Sequence, residues 1–392
     1  VEKGGARDAS TLILDFMAMY PIIIAGGTGT RLWPISTKGM PKQVYPLFDK
    51  ETLLQKTWRR LRRGFSAKNI FLSTSDSIAS AVRKQLSQLV ADNVITEPVR
   101  RGTASALGLA LLKLYKRDPK GIFVYINSDN FVSRENEFIR LLQVAERVIT
   151  QKPDNTLLIG VNPTYPEAGY GYIKMGRPVM HFSHSHKAPT AGPRKRGHGD
   201  EIFEVERFVE KPDLTTAKAF LRSWRYLWNP TLIVARADHF LGLYRKHLPE
   251  TWKVLERIAR KMGTAEERSI IQKEFPKIES ETVDYGILEK EKKMLVLPGN
   301  FGWTDIGHWR AVHEILAKGQ YENICRGGKC IQIDSRGNLI YSQTGKLTAL
   351  AGISNTIVVE TENVLLICPK ERAQDVKKLV EAMEKKGMAE YL

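Results

Sequence analysis

The chain has 392 residues, 42% of them hydrophobic and 26% charged, with a formal net charge of +17 and three cysteines. This composition excludes a disordered or fibrous chain, and the length suits two or three domains of roughly 100–200 residues each. Three cysteines cannot build a disulfide framework, so a reducing compartment is expected, and Cys325 with Cys330 lacks the second ligand pair of a structural zinc site.

The apolar run Leu12–Ile24 is broken by Asp15 and Pro21, falls short of the roughly 20 residues a bilayer requires, and carries no signal-peptide pattern. A cytoplasmic protein without membrane contact is expected. Residues 1–18 hold two basic and three acidic residues, and residues 319–392 hold ten and nine. The excess of +17 therefore belongs to residues 19–318. It is not a basic tail and no recognition motif accompanies it, so no specific nucleic-acid partner is expected. Such a field also attracts nucleotides and sugar phosphates.

Residues 1–18 are weakly patterned and read as an extension outside the fold, with Met17 or Met19 as a candidate start. The apolar run Tyr20–Ala25 reads as a strand buried on both faces, and Ile70–Ser73 and Ile122–Ile126 repeat it. Between them, Leu53–Leu61 and Ala104–Tyr115 show helical spacing. This alternation predicts an α/β, doubly wound, mostly parallel sheet over residues 19–318. Tyr170–Met175 and Ile202–Val209 read as paired strands around His181–Asp200, a polar loop with four histidines. Residues 250–275 are helical, and a helix after Trp309 closes the segment near Lys318. Residues 319–392 then change texture: short strands between turn signals predict a small β-solenoid or sandwich, with a last helix opened by Pro369.

The strongest chemical signal follows the first strand: Ala25-Gly26-Gly27-Thr28-Gly29-Thr30-Arg31-Leu32-Trp33-Pro34, then Pro41-Lys42-Gln43. Three glycines in four positions let backbone N–H groups approach a ligand, and a loop at the carboxyl end of a buried strand is where α/β sheets bind ligands. Arg31 offers a fork of donors for phosphate oxygens, and Lys42 a point charge. The spacing matches neither a Walker A loop nor GxGxxG. No Ser/His/Asp or Cys/His arrangement suggests a covalent intermediate. Cys368 reads as core; Trp33, Trp303 and Trp309 read as packing residues before stacking ones.

GGTGTRLWP with PKQ resembles the signature of nucleotide-sugar pyrophosphorylases, and the Trp33-Pro34 and Lys42-Gln43 details resemble mannose-1-phosphate guanylyltransferases. The family's further motifs follow in order: Glu97-Pro98 with Arg101 and Thr103, Asp129, Gly169-Tyr170-Gly171-Tyr172, Phe208-Val209-Glu210-Lys211-Pro212, Tyr226-Leu227-Trp228-Asn229, Asp284-Tyr285-Gly286 and Phe301-Gly302-Trp303-Thr304-Asp305. The resemblance spans about residues 20–390. It implies a Rossmann-like nucleotidyltransferase domain followed by a β-helix-like domain. It also implies synthesis of GDP-mannose and pyrophosphate from GTP and mannose 1-phosphate, and a homodimer is plausible through open strand edges.

By that resemblance Arg31 and Lys42 hold the triphosphate, and Lys211 holds the sugar phosphate. Asp129 and Asp305, which alone would read as cap or turn residues, become ligands of Mg²⁺. Ala25, Gly26, Gly27, Thr28, Gly29, Thr30, Glu97, Arg101 and Thr103 form the nucleotide side; Gly171, Glu210 and Asn229 join Lys211 on the sugar side. Three departures stand out. Asn127-Ser128-Asp129-Asn130 replaces a proline-containing segment, Gly102 replaces a common asparagine, and Pro230-Thr231 replaces a small-residue turn. Two alternatives follow: a different pairing of nucleoside triphosphate and hexose 1-phosphate, and a non-catalytic paralogue that binds nucleotide sugars. Retention of both aspartates argues against the second.

Overall fold

The computed structural model describes residues 18–27, 29–37, 40–183 and 199–392. Thr28, the extension before residue 18 and most of the histidine-rich loop lie outside the described residues.

The first half alternates as expected. β1 (Tyr20–Ala25) is followed by α1 (Leu53–Leu61), β2 (Phe71–Ser75), α2 (Asp76–Gln85), β3 (Val94–Glu97), α3 (Gly102–Arg117) and β4 (Ile122–Asn127). Thr52 starts α1 through a capping box with Gln55, each side chain satisfying the other's backbone N–H. β5 (Asn130–Val132), α4 (Glu135–Gln151) and β6 (Thr156–Val161) come next. The hairpin β7 (Gly171–Ser183) and β8 (Gly199–Val209) precedes α5 (Leu214–Ser223), β9 (Tyr226–Asn229), β10 (Ile233–Arg236), α6 (Ala237–His247), α7 (Pro249–Ala259) and α8 (Glu267–Glu274). β11 (Met294–Gly299), β12 (Trp303–Asp305) and α9 (Trp309–Leu316) close this part.

Ten strands form one sheet in the order β11-β8-β7-β9-β6-β10-β4-β1-β2-β3. β4-β1-β2-β3 is parallel throughout, β6 and β11 also pair in parallel, and the hairpin and β10 join antiparallel. Apolar side chains cover both faces. One face packs against α1, α2 and α4 through residues such as Trp58, Val82 and Leu142; the other packs against α3, α6 and α7 through Leu111, Phe240 and Leu255. The chain winds from β1 to β2 and β3, then returns to place β4 on the other side of β1. That reversal opens a crevice at the carboxyl ends of β1 and β4.

The last part is a short parallel β-helix. β13 (Ile324–Arg326), β15 (Leu339–Ser342) and β17 (Thr356–Glu360) stack in register, and β14 (Lys329–Ile333) pairs with β16 (Leu347–Ala351). At one corner buried Asn338 donates to the carbonyl of Ile353 and to Asn323 Oδ1, while its own Oδ1 accepts from Thr356 N–H. Of the two sequence readings, solenoid and sandwich, the in-register stack is the solenoid.

Three details depart from the sequence reading. Cys325 and Cys330 are joined by a disulfide, because the four-residue turn between them brings their Cα atoms to 6.3 Å. Pro369 does not open the last helix: it ends β18 (Leu365–Pro369), and a 3₁₀ turn over Lys370–Asp375 separates it from α10 (Val376–Lys385). Cys368 is only half-buried at the edge of the third core. That core joins Leu32, Trp33 and Ile35 of the glycine-loop segment to α9, to β15 and β17, and to α10.

Candidate active site

A cavity of about 560 Å³ opens at the carboxyl ends of β1 and β4. The glycine loop forms its lip. Gly29 adopts φ 64°, and a Cβ there would lie 2.3 Å from Ser36 Oγ and 3.0 Å from Lys42 Cγ. Only glycine allows that turn and that approach together. Gln43 ties the loop down by donating to the Gly27 carbonyl at 3.2 Å. The 3₁₀ turn Thr30–Leu32 then carries Arg31 to the cavity wall.

Pairing of β12 with β5 sets the centre of the site. Asp305 lies opposite Asn130, the neighbour of Asp129, so two carboxylates 176 positions apart share one wall. Lys42 reaches in from the signature segment: its Nζ lies 2.8 Å from Asp129 Oδ2 and donates to the Ile306 carbonyl at 2.8 Å. Burial disfavours the ammonium, but Asp129 and Asp305 overcome that and hold its pKa above the usual lysine value. Burial raises Asp305, with Asp129 adding to the shift and Lys42 and Arg31 opposing it. Gly307 leaves room here, since a Cβ would fall 2.7 Å from Asp305 Oδ2 and 3.4 Å from Arg31 Nη1.

At one end stand Glu210, Lys211, Gly171 and Asn229, brought together by β7 and its two antiparallel neighbours, β8 and β9. Lys211 Nζ pairs with Glu210 Oε1 at 2.7 Å, and Lys211 sits at φ 45°, a left-handed conformation that costs a non-glycine residue about 1 kcal/mol or more. Asn229 is held at both ends of its amide, donating to Asp284 Oδ1 at 2.8 Å and accepting from Thr231 N–H at 3.0 Å. Asp284 begins a π-helical turn, a form common at functional sites. Burial, with Glu210 nearby, pushes its carboxyl up to about 7.

The other end is Glu97, Thr103 and Gly102. Burial pushes the Glu97 carboxyl up to about 8, opposed only by a long contact from Ser73 Oγ at 3.4 Å and by Arg100. Gly102 adopts φ 81°, and a Cβ there would fall 2.1 Å from the Glu281 carbonyl oxygen, so in this chain the position requires the glycine that stands where the family commonly has asparagine.

Most of the expected residues meet in this one cavity, with three exceptions. Ala25 is fully buried and its carbonyl accepts from Thr74 Oγ1 at 2.9 Å. Arg101 turns away, donating twice to the Pro276 carbonyl at 3.1 and 2.7 Å, and its neighbour Arg100 lines the cavity instead. Thr28 lies outside the described residues. Asp284, Arg100, Asn127 and Tyr170 line the cavity without having been singled out as site residues. For Asp284 and Tyr170 the quoted motifs Asp284-Tyr285-Gly286 and Gly169-Tyr170-Gly171-Tyr172 carried the signal, and Asn127 stood in the quoted segment before Asp129; for Arg100 nothing in the local spacing did. Trp33 and Trp309 pack in the third core as expected, whereas Trp303 lines the cavity, its buried Nε1 without a partner among the described residues.

The nucleotidyl transferase family model matches residues 20–321, and the MannoseP isomerase/GMP-like beta-helix domain model matches residues 328–383. Mannose-1-phosphate guanylyltransferase 2 of Escherichia coli O157:H7 is 31% identical over 95% of this chain and 74% of its own length. Mannose-1-phosphate guanylyltransferase RfbM of Salmonella typhimurium is 31% identical over 96% of this chain and 74% of its own. A crystal structure from Thermus thermophilus, described as a mannose-1-phosphate geranyltransferase, superposes with a TM-score of 0.78 at 26% identity, covering 94% of this chain and all of that one. With the domain model, the long relatives and the fold agreeing, the chain belongs to the nucleotidyl transferase family, among the mannose-1-phosphate guanylyltransferases.

Proposed function

We propose that this chain makes GDP-mannose and pyrophosphate from GTP and mannose 1-phosphate. The observation that carries the reading is the meeting of Arg31, Lys42, Asp129 and Asp305 between the Glu210–Lys211–Asn229 end and the Glu97–Thr103 end of one cavity. The names of the relatives supply the identity of nucleotide and sugar.

In this reading a phosphate oxygen of mannose 1-phosphate attacks the α-phosphorus of GTP in line. The bond from that phosphorus to the bridging oxygen breaks, and pyrophosphate leaves. The obstacles are repulsion between two anions and charge on the leaving group, so positioning and electrostatics are what the residues must provide. Lys211 holds the sugar phosphate, and Glu210 and Asn229 meet sugar hydroxyls. Arg31 and Lys42 take up charge on the departing pyrophosphate. The backbone of Gly26, Gly27, Gly29 and Thr30 lies along the triphosphate, and Glu97 and Thr103 face the nucleoside.

Nucleotidyltransferases of this family use a divalent metal. The two carboxylates fit one. Asp129 and Asp305 are hard oxygen donors on a single wall, and no cluster of three or more His, Cys, Asp or Glu exists among the described residues. Two protein oxygens, with substrate oxygens and water completing the shell, suit Mg²⁺, which screens the triphosphate and stabilises its developing charge when bound.

We place the catalytic domain at 19–318 and the β-helix-like domain with its terminal helix at 319–392. The enzyme is proposed to act in the cytoplasm as a homodimer. No described helix is long and apolar enough to cross a membrane. The deciding experiment is pyrophosphate release over a grid of nucleoside triphosphates and hexose 1-phosphates with Mg²⁺. Turnover confined to UTP or dTTP overturns the guanylyl reading. Binding of GDP-mannose without turnover on any pair favours the non-catalytic paralogue.

A further inference from the structure

A second and larger hollow, about 840 Å³, lies away from the active site. It runs along β3, the last strand of the ten-stranded sheet, with α2 as one wall and α3 and α8 as the other. β3 pairs only with β2, from Leu72↔Val94 to Ser75↔Glu97, so its outer edge has no strand beside it among the described residues. An uncovered edge presents backbone donors and acceptors that another extended chain can take up.

The chemistry of the walls selects such a chain. Arg83 and Lys84 on α2 and Arg268 on α8 are exposed and make no ion pair among the described residues. The nearby Glu267 does not neutralise them, because it is held by Lys113 at 2.9 and 3.2 Å. Asp76 is the one remaining acid on the lining. Ile271 and Ala265 give the α8 side a small accessible apolar surface, while Leu109 of α3 lies fully buried beneath it. No aromatic ring lines the hollow, so a nucleotide base would find nothing to stack on, unlike in the active-site cavity with Tyr170 and Trp303.

We propose that this groove docks an extended acidic segment of a partner protein, which joins the sheet beside β3 as an eleventh strand. Alternate side chains of an added strand point to opposite faces. Its acids meet Arg83 and Lys84 on one side, its apolar residues meet Ile271 and Ala265 on the other, and Arg268 flanks the site.

The test uses a fluorescein-labelled eight-residue peptide of alternating glutamate and valine, titrated by anisotropy against the full chain. A second peptide has the same side chains with alternate backbone nitrogens methylated. The expected results are saturable binding of the first peptide and slowed amide exchange at Val94–Glu97. The methylated peptide, and the Arg83→Glu/Arg268→Glu variant, should each lose about tenfold or more in affinity. Neither arginine lines the active-site cavity, so pyrophosphate release by the variant should be unchanged and reports its fold. Failure of the first peptide to bind overturns the proposal. Equal binding of both peptides reduces the site to bare charge and overturns the strand. Equal binding by the variant makes these cations only guards against edge-to-edge aggregation. Full displacement by millimolar inorganic phosphate makes it a small-anion site.

Discussion

Gly171→Ala separates the chemistry of the site from the stability of the fold. The methyl would stand 2.5 Å from Glu210 Oε2 and 3.2 Å from Asn229 Cβ. Restoring an ordinary contact of 3.4 Å requires the Glu210 carboxylate to withdraw by about 0.9 Å, the difference between 3.4 and 2.5 Å. Glu210 is the end of a flexible side chain, so the fold should adjust at an overpacking cost of only about 1 kcal/mol. The site has less freedom. Catalytic groups work within about 0.5 Å of their productive positions, and a 1 Å error costs roughly 10²-fold. The withdrawal also strains the 2.7 Å pair with Lys211, the residue assigned to the sugar phosphate. A loss of about 10²-fold in kcat/KM for mannose 1-phosphate is therefore expected, about 2.7 kcal/mol of transition-state stabilisation. The KM for GTP should stay near the parent value. The measurement is pyrophosphate release with each substrate varied in turn, alongside a thermal melt. Sugar-phosphate kcat/KM within about threefold of the parent, in a folded variant, would refute the assignment of this end to the sugar.

Asp305→Asn should lose about 10²–10³-fold in turnover while keeping its melting transition, and Mg²⁺ should no longer perturb the fluorescence of the neighbouring Trp303. Near-normal turnover would dismiss the metal role. Glu97 gives a pH signature. Its carboxyl is pushed from 4.5 up to about 8, so between those values the folded state holds a proton that the unfolded chain has released. Stability falls as pH rises through that window and levels off above it. Melting temperatures of the parent and Glu97→Gln should therefore converge toward pH 5 and separate toward pH 8, the parent lower; parallel curves would contradict it. Trp33→Phe removes the indole donor that reaches the Tyr391 carbonyl at 2.6 Å and should cost about 1–2 kcal/mol in urea unfolding. An unchanged midpoint would show that this contact does not brace the glycine loop.

The elements legible in the sequence were those whose signal is local. Tyr20–Ala25 is an uninterrupted apolar run and becomes a strand with those limits, and the spacing of Leu53–Leu61 does the same for α1. The glycine loop was legible because a close backbone approach leaves its mark within a few residues. What could not be read depends on contacts distant in the chain. The direction of Arg101 follows from the Pro276 carbonyl 175 positions away. The link from Asn229 to Asp284 spans 55 positions, and the pairing that sets Asp305 beside Asn130 spans 175. The family motifs named many of these residues, but not which of them touch. The disulfide was missed because a count of cysteines ignores distance, whereas the turn Arg326-Gly327-Gly328-Lys329 decides how closely they approach.

The net charge of +17 takes on a different meaning once the cavity is known. In the sequence alone, the excess in residues 19–318 pointed to anionic substrates. Yet Arg31, Lys42, Arg100 and Lys211 face five acids there: Glu97, Asp129, Glu210, Asp284 and Asp305. By formal charge the site that must hold two anions is not basic. Two features ease this. Burial raises Glu97 to about 8 and Asp284 to about 7, so near neutrality both carry much less than full charge. Asp129 and Asp305, the pair left between Lys42 and Arg31, are the ligands assigned to a divalent cation, whose charge would offset both. With the proposed cation bound, or with Glu97 and Asp284 protonated, the cavity would turn from net acidic to net cationic, and with both it would suit a triphosphate best. The bulk of the +17 lies elsewhere on the domain, where it draws anions to the surface by long-range attraction and leaves the choice among them to the acids within.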